Sequence, residues 1–171
     1  MSSSPGTILC TEPELQRLFD ERAIRRCLTD YCRAIDRIDA DLLRTVFHPD
    51  SHAAYGSYNG SGPGFVDYAI PRERDRWRAS QHTIGNSTID FVADDVAHVE
   101  TYVHAELVAE NSVVHFGGRY IDRFERRDGQ WKIADRVVVH DLDRLEHTEP
   151  AFPIDKFAEG RRDSDDPSYR R

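Results

Sequence analysis

The stretch Gly117–Asp141, GGRYIDRFERRDGQWKIADRVVVHD, decides how this chain folds. Aromatic and β-branched residues fill both of its halves, a composition typical of strands that bury one face. The dipeptide Asp128-Gly129 stands between the halves, and Asp-Gly flanked by strand-forming runs is a strong hairpin signal. The stretch therefore predicts two long antiparallel strands joined by a tight turn.

The length of the turn sets which residues face each other across this hairpin. A two-residue turn would pair Phe124 with Ile133, whereas a three-residue loop with Gly129 in a bulge would pair Tyr120 with Arg136. The sequence leaves both registers open. In either register Arg136 stands among valines, where a charge needs a partner or a functional reason.

Length and composition describe one acidic domain of 171 residues, with 32% charged residues and a net charge of −8. A chain of this length can bury a sizeable core. The negative charge and the lack of a basic stripe argue against a nucleic-acid partner. No apolar run approaches the roughly 18 residues that span a bilayer, and residues 1–10 lack the pattern of a signal peptide, so no membrane partner is expected.

The three cysteines, Cys10, Cys27 and Cys32, indicate a reducing compartment. Two of them fall on a predicted helix, and the odd number without a C-x-x-C pair forms neither a disulfide framework nor a metal-binding pair. We therefore expect small buried thiols in a cytoplasmic protein.

Helical periodicity comes first along the chain. Apolar residues recur at helical spacing from Pro13 to Asp36, which predicts a long amphipathic helix. Asp39 is predicted to be the N-cap of a second helix, which ends at His48-Pro49. A third helical region follows. Pro71 should start or kink it, because proline is tolerated in the first turn of a helix and not in its interior.

Most of the strand patterns lie in the second half of the chain. His52–Tyr55 is predicted to be a short first strand, and the glycine-rich segment Gly56–Gly64 a loop. Alternating patterns then predict four long antiparallel strands, at residues 87–93, 96–108, 113–126 and 130–142. Helices followed by strands argue for an α+β fold. A curved sheet wrapped against helices would leave a concave pocket for a small molecule.

The chain is expected to divide into three segments. Residues 1–12 are small and polar and are predicted to be a flexible N-terminus, followed by a folded domain over residues 13–153. The charged composition of residues 154–171 predicts a flexible C-terminal tail.

Asp36 and His82 are the first candidates for chemistry. Asp36 lies at the predicted end of the first helix and His82 just before the long strands, so a helix packed across the sheet would bring both to one cavity. A carboxylate that accepts a hydrogen bond from one imidazole nitrogen fixes the tautomer and leaves the other nitrogen free to accept a substrate proton. The alternative is a capping aspartate and a structural histidine.

Tyr31 and Arg136 are further candidates, each with a structural alternative. Tyr31 precedes Asp36 on the same helix and could donate its hydroxyl to a leaving or carbonyl oxygen, or it could be a core tyrosine. Arg136 could stabilise a developing anion. It could instead be a strand arginine paired with Asp122 or Asp135.

Four histidines on the predicted strands raise the question of a metal site. They are His98, His104, His115 and His140, and no H-x-H pair or H-E-x-x-H motif joins them. Surface or pocket-lining roles are therefore favoured over metal binding. The chain also lacks the G-x-G-x-x-G, P-loop and G-x-S-x-G motifs, so we expect no cofactor and no serine nucleophile.

Several short runs resemble the SnoaL-like group of the NTF2-like superfamily. They are Tyr31–Asp39 (YCRAIDRID), Phe47–Asp50 (FHPD), His82–Asn86 (HTIGN), Gly118–Tyr120 (GRY) and Arg126–Trp131 (RRDGQW). The resemblance covers residues 13–142. It implies an NTF2-like cone, in which a strongly curved antiparallel sheet packs with three helices around a pocket, and a homodimer or homotrimer that acts on a small molecule.

The resemblance also implies roles for single residues. Within the group the chain is similar to bile-acid 7α-dehydratase, lindane dehydrochlorinase and scytalone dehydratase, which eliminate without a cofactor through a His–Asp dyad. His82 matches the base of that dyad and Asp36 its orienting carboxylate. Tyr31 and Arg136 match pocket positions of these enzymes, and His104 is an approximate match to a second pocket histidine.

The residues and the resemblance together predict a dehydratase-type lyase acting on an apolar alicyclic or polycyclic molecule. His82, Asp36 and Tyr31 are the expected catalytic residues. The expected substrate-binding residues are Arg136, Tyr120, Tyr55, Val138 and His104. An isomerase or cyclase could use the same dyad, because proton abstraction beside a carbonyl is the first step of both. A non-catalytic protein is the other alternative, either a ligand-binding module or one resembling the β-subunit of ring-hydroxylating dioxygenases.

Overall fold

Three helices and a six-stranded sheet make up the fold in the computed structural model, which describes residues 11–149 and 156–170. The helices are α1 (Glu12–Arg37), α2 (Ala40–Thr45) and α3 (Gly62–Arg76). The strands are β1 (Phe47–Tyr55), β2 (Tyr58–Ser61), β3 (Ala79–Ala93), β4 (Val96–Val108), β5 (Ser112–Arg127) and β6 (Gln130–His147). The predicted α+β class and the curved, open sheet of an NTF2-like cone are confirmed.

The order of strands in the sheet is β2-β1-β6-β5-β4-β3. Strands β3 to β6 form the predicted antiparallel meander, and β1 adds to it in parallel alongside β6. Long α1 packs against β3 and β6, so the helices cover one face of the curved sheet. The buried core lies between them and includes Ile24, Leu28, Phe47, Phe124 and Ile133.

The hairpin at the centre of the sheet has a two-residue turn. Asp128 and Gly129 both have positive φ, 51° and 75°, as a tight turn between twisted strands requires. Phe124 consequently faces Ile133, the first of the two registers that the sequence allowed. A shift in the ladder next to Phe124 then changes the pairing further along, so that Asp122 faces Arg136.

The predicted loop at Gly56–Gly64 is wrong, because most of it is regular structure. It contains β2 and the first turn of α3, whose N-cap Ser61 accepts a hydrogen bond from the Gly64 amide at 3.1 Å. A Cβ at Gly62 would lie 2.2 Å from Ser51 Oγ. Gly62 therefore permits close packing at a helix start, a role that composition alone does not distinguish from a loop.

Other boundaries differ by a few residues. The first strand begins at Phe47 instead of His52, and β3 begins at Ala79, eight residues before the predicted start. Pro71 lies inside α3. The predicted N-cap of α2 is confirmed, since the Asp39 carboxylate accepts a hydrogen bond from the Leu42 amide at 2.9 Å.

Part of the predicted C-terminal tail has a defined position. Residues 156–170 lie against the C-terminal end of α1, and a short 3-10 helix covers Pro167–Tyr169. The Tyr169 hydroxyl donates a hydrogen bond to the Asp39 carboxylate at 2.8 Å. The flexibility of the tail in solution stays a prediction. Most of the predicted N-terminal segment, including Cys10, lies outside the described residues.

No described helix is long and apolar enough to cross a membrane.

Candidate active site

Asp36 and His82, called the dyad below, lie within hydrogen-bonding distance of each other. Asp36 is in the last turn of α1, and His82 is on β3, the strand against which that end of the helix packs. The distance from His82 Nδ1 to Asp36 Oδ1 is 2.7 Å. The backbone amide of His82 also donates to Asp36 Oδ2, at 2.9 Å. The aspartate therefore binds both the ring and the backbone of the histidine.

The surroundings of the carboxylate determine the tautomer of His82. Asp36 is 8% exposed, and Oδ1 accepts a further hydrogen bond from the buried Ser80 hydroxyl at 2.9 Å. Because an ionised carboxylate only accepts, His82 Nδ1 must carry the hydrogen of this contact. His82 Nε2 is then left with a lone pair that can accept a proton.

A layer of contacts behind the dyad includes a residue that the sequence reasoning missed. Arg162 donates to the Ser80 hydroxyl at 3.0 Å and to the backbone oxygen of Asp36 at 3.1 Å. It also reaches the backbone oxygens of Glu73 and Trp77, at 2.9 and 2.7 Å. Its place in a charged C-terminal segment gave no signal for this role.

The side of the dyad that is open to a substrate is a cavity of about 470 Å³. His82 lines it together with four of the predicted residues, Tyr31, Tyr55, Tyr120 and Val138. Most of the remaining wall is apolar or aromatic and includes Phe65, Tyr68, Ala69, Trp77, Ala105, Leu107 and Phe116. His82 therefore faces a wall that is largely apolar or aromatic and carries a few polar groups, which is the usual composition of a small-molecule site.

A surface cleft of about 630 Å³ also touches Asp36 and His82. Its walls are mostly polar and charged, including Arg33, Arg37 and Glu106. It lies beside α1 and the edge strand β3, and it lacks the aromatic wall of the smaller cavity. We therefore take the smaller, apolar cavity as the candidate site.

Tyr31 lies at the closed end of the cavity. Its side chain is 2% exposed, and its ring packs edge-on against Tyr120 with the centroids 5.5 Å apart. Its ring also stacks with that of Tyr55, with the centroids 6.5 Å apart. Burial raises the pKa of Tyr31 well above its usual value of 10, so the phenol stays protonated at neutral pH and can act as a hydrogen-bond donor.

Arg136 does not line the cavity, in contrast to the predicted role in substrate binding. It is fully buried and forms two parallel hydrogen bonds of 2.7 Å with the Asp122 carboxylate. This is the ion-pair alternative that the sequence left open. The guanidinium carbon lies 4.1 Å from the ring centroid of Tyr120 and 4.4 Å from that of Tyr31. Arg136 consequently contacts the rings of two cavity tyrosines without itself lining the cavity.

His104 was predicted to bind substrate and lies on the wrong face of the sheet. Neighbouring residues of a strand point to opposite faces, and the next residue, Ala105, lines the cavity. His104 is exposed on the convex side. Of the other strand histidines, His140 lines the cavity, with Nε2 2.9 Å from the Asp143 carboxylate. Within residues 11–149 and 156–170, no three ligand side chains converge on a metal position.

Glu73 is a further residue that the sequence analysis did not single out, and it lines the cavity. It lies on α3, and its Oε2 is 3.7 Å from Arg162 Nη2. Burial raises the pKa of this carboxyl, although His82 and Arg162 act in the opposite direction. Its position in the run RERDRWR suggested only a solvated helix face, because helical spacing alone did not show that this turn borders a cavity.

The fold is that of the SnoaL-like domain family. The model of that family matches residues 16–137, so the chain belongs to it, as the short sequence runs indicated. Gamma-hexachlorocyclohexane dehydrochlorinase of Sphingobium indicum is 27% identical over 128 residues, which cover 72% of this chain and 81% of the relative.

Two solved structures are similar over most of the chain. A scytalone dehydratase-like protein of Novosphingobium aromaticivorans has a TM-score of 0.71 and 26% identity, covering 84% of this chain and 98% of the other. The hexachlorocyclohexane dehydrochlorinase LinA-type3 of Novosphingobium barchaimii has a TM-score of 0.72 and 23% identity, covering 80% and 99%. The names of the dehydrochlorinases describe an elimination, the removal of hydrogen chloride.

Proposed function

We propose that this protein is a cofactor-independent lyase that eliminates water or a halide from an apolar alicyclic or polycyclic molecule. One observation carries the proposal, namely the 2.7 Å contact between His82 and Asp36 at the wall of a largely apolar cavity. A base in such an enclosure can act on a carbon acid without competition from bulk water. The relationship to eliminating enzymes supports the same reaction class.

In the proposed reaction His82 Nε2 takes a proton from a substrate carbon. The electron pair of that C–H bond forms a double bond to the adjacent carbon, from which hydroxide or halide departs with the electrons of its own bond. Asp36 stabilises the imidazolium that forms and keeps its orientation. The imidazolium proton then passes to the departing hydroxide or to solvent, which restores the base.

Tyr31 is the proposed hydrogen-bond donor to the leaving group. Its buried hydroxyl has a raised pKa, so it suits a donor that must keep its proton at neutral pH. Tyr55, Tyr120 and Val138 are proposed to hold the apolar body of the substrate. Aromatic walls offer large contact areas to a rigid ring system, which is why an alicyclic or polycyclic substrate is preferred here over a linear one.

The same base could begin an isomerisation or a cyclisation, because each starts with the removal of a proton beside a carbonyl. A first experiment therefore measures the proton transfer itself. We expect the purified chain to catalyse exchange of the α-hydrogens of alicyclic ketones in deuterated water, followed by mass spectrometry. Release of halide from alicyclic halides, and formation of the alkene from matched alcohols, then separate elimination from isomerisation.

The non-catalytic alternative predicts a different outcome. If the chain neither exchanges nor eliminates with any compound of the panel, and is stable only together with a larger partner, it resembles a dioxygenase β-subunit instead. A homodimer or homotrimer that forms from this chain alone, measured by analytical ultracentrifugation, is the assembly expected of the lyase.

A further inference from the structure

Two arginines stand at the mouth of the cavity. Arg72 and Arg76 lie one turn apart on α3, and both line the cavity while remaining exposed. The inner wall is different, because Tyr31 and Tyr120 are only 2% and 3% exposed. The arginines consequently border the opening between solvent and the apolar interior.

Each of these guanidinium groups rests on an aromatic ring that also lines the cavity. Arg72 lies 3.7 Å from the ring centroid of Tyr68 and donates to the backbone oxygen of that residue at 2.9 Å. Arg76 lies 4.7 Å from the ring centroid of Trp77. Stacking on a ring face restrains an arginine and leaves its N–H groups at the edge available to a ligand.

The charge at this opening is unbalanced. In the described part of the chain, neither Arg72 nor Arg76 has a carboxylate within ion-pair distance, whereas many other arginines do. The single acidic residue of the cavity wall, Glu73, already faces Arg162. Two cations therefore remain at the mouth of an apolar cavity in a protein with a net charge of −8.

We propose that the substrate is an amphiphilic acid, whose apolar ring system fills the cavity and whose anionic group binds Arg72 and Arg76. This inference rests on the proposed function, since it names the substrate class of the same site. Planar guanidinium groups hydrogen-bond carboxylates and other oxyanions through paired N–H groups. The anion would fix which end of the molecule stays outside, and so which ring reaches His82.

A pair of fluorescent probes tests the inference without the substrate. 1-Anilinonaphthalene-8-sulfonate and N-phenyl-1-naphthylamine share an apolar body, and only the first carries an anion. We expect the wild-type chain to prefer the anionic probe. The preference should fall about tenfold in the Arg72→Gln/Arg76→Gln double variant, since a hydrogen bond to a charged group is worth of the order of tenfold in affinity.

Arg74→Gln is the matched control, because Arg74 is an exposed arginine of the same helix that does not line the cavity. The affinity for the neutral probe should be unchanged in all variants. An unchanged ratio of the two affinities in the double variant would overturn the inference, as would an equal fall in Arg74→Gln. Neither result depends on turnover, so the proposed elimination is tested separately.

Arg162 joins three elements behind the dyad, independently of the mouth arginines. At the end of α1 it donates to the backbone oxygens of Ile35 and Asp36, at 3.3 and 3.1 Å. At the end of α3 it donates to the oxygens of Glu73 and Trp77. Carbonyls in the last turn of a helix lack intrahelical partners, and a cation is favoured there.

The fifth contact links Arg162 to the dyad through a serine. Arg162 Nη2 donates to Ser80 Oγ, so the hydrogen of the hydroxyl is directed to Asp36 Oδ1, 2.9 Å away. The same oxygen of Asp36 accepts the Nδ1–H of His82. Arg162 therefore holds the backbone that carries Asp36 and also orients the hydroxyl that binds its carboxylate.

We infer that Arg162 is a positioning residue, through which the C-terminal segment fixes the orientation and tautomer of His82. This second inference also depends on the proposed role of the dyad. Without Arg162, the Ser80 hydroxyl can rotate away, and the end of α1 loses the cation that binds its Ile35 and Asp36 carbonyls. The His82–Asp36 contact then opens more often to water.

Proton NMR of the imidazole N–H of His82 measures this directly. We expect a protected downfield Nδ1–H signal in the wild type. In Arg162→Gln, exchange of this proton with water should be about tenfold faster, because losing a hydrogen bond from a charged group raises the population of the locally opened state by that order. Arg161→Gln is the control, since Arg161 pairs with Asp163 at the surface of the same segment.

A purely structural role for Arg162 would lower the melting temperature and leave the exchange rate of the imidazole proton unchanged, and that result would overturn the inference. Ser80→Ala breaks the same link from the other side and changes little volume, so it provides the test if Arg162→Gln does not fold. Wild-type exchange in Ser80→Ala would likewise contradict the inference. No substrate is needed, so failure here leaves the proposed elimination open to its own test.

Discussion

The His82→Ala variant is expected to lose elimination activity by about 10²–10⁴ in kcat, the range typical of a general base. The His82 imidazole lines the apolar cavity and has its Nδ1 held by the largely buried Asp36 carboxylate. His140 also lines the cavity and contacts a carboxylate, but both partners of that pair are exposed. The change leaves the apolar contacts in place, so the affinity for an unreactive ligand should stay close to that of the wild type.

Asp36→Asn is the more specific test of the dyad, because the side chain keeps its shape and loses only its charge. An amide nitrogen beside His82 Nδ1 would donate instead of accept, so it would favour the tautomer whose Nε2 carries the hydrogen. That tautomer cannot accept a substrate proton, and an Asp-to-Asn change of this kind lowers kcat by about 10⁴ in a catalytic triad. Imidazole added to His82→Ala should restore part of the activity, but should not rescue Asp36→Asn.

His104→Ala is the matched control, since this histidine is exposed on the convex face of the sheet and away from the cavity. Its kcat and KM should equal those of the wild type. The assay follows release of halide or formation of the alkene from the substrate found in the panel, with the melting temperature measured for each variant. Wild-type turnover in either dyad variant would remove the dyad from the mechanism.

The central hairpin could be predicted because its signals are local. Asp128-Gly129 indicates a tight turn, and the strands beside it carry strong β-forming residues, but only the structure shows that the turn has two residues. The predicted loop at Gly56–Gly64 was wrong for a related reason. Composition shows that glycine allows unusual backbone, but not whether Gly62 needs that freedom for a loop or for close contact with Ser51.

The dyad was predictable only in part. Residue types and helix ends placed Asp36 and His82 near one cavity, and the resemblance to a family gave their roles. The 2.7 Å contact depends on the packing of α1 across β3, which no local pattern encodes. Arg162 could not be predicted, because a charged segment has the same composition whether it stays solvated or one of its arginines binds the last carbonyls of two helices.

The Asp122→Asn variant is expected to have the largest effect on stability, a loss of about 3–5 kcal/mol in the free energy of unfolding. Asp122 and Arg136 are both shielded from solvent, with exposed fractions of 2% and 0%. The neutral amide would leave the guanidinium charge without its counter-ion beneath Tyr31 and Tyr120. Burying an unpaired charge is among the most destabilising changes known for single residues.

Arg119→Gln shows how much of this effect is due to burial. Arg119 also bonds two carboxylates, Glu100 at 2.8 Å and Asp141 at 2.9 Å, but it lies on the convex face with 29% of its side chain exposed. Its loss should cost much less than that of Asp122, because water replaces the lost contacts. Urea unfolding monitored by tryptophan fluorescence measures both variants under the same conditions.

The double variant Asp122→Leu/Arg136→Met separates the energy of the pair from the cost of breaking it. Replacing both charges by apolar groups of similar volume is often neutral or stabilising, so the double variant should recover most of the stability that Asp122→Asn loses. It should not recover the position of Tyr55, whose hydroxyl accepts a hydrogen bond from Arg136 at 3.5 Å. A stable double variant with reduced turnover would therefore mean that the buried pair serves to position the tyrosines of the cavity. A double variant as unstable as Asp122→Asn would mean instead that the ion pair itself stabilises the fold.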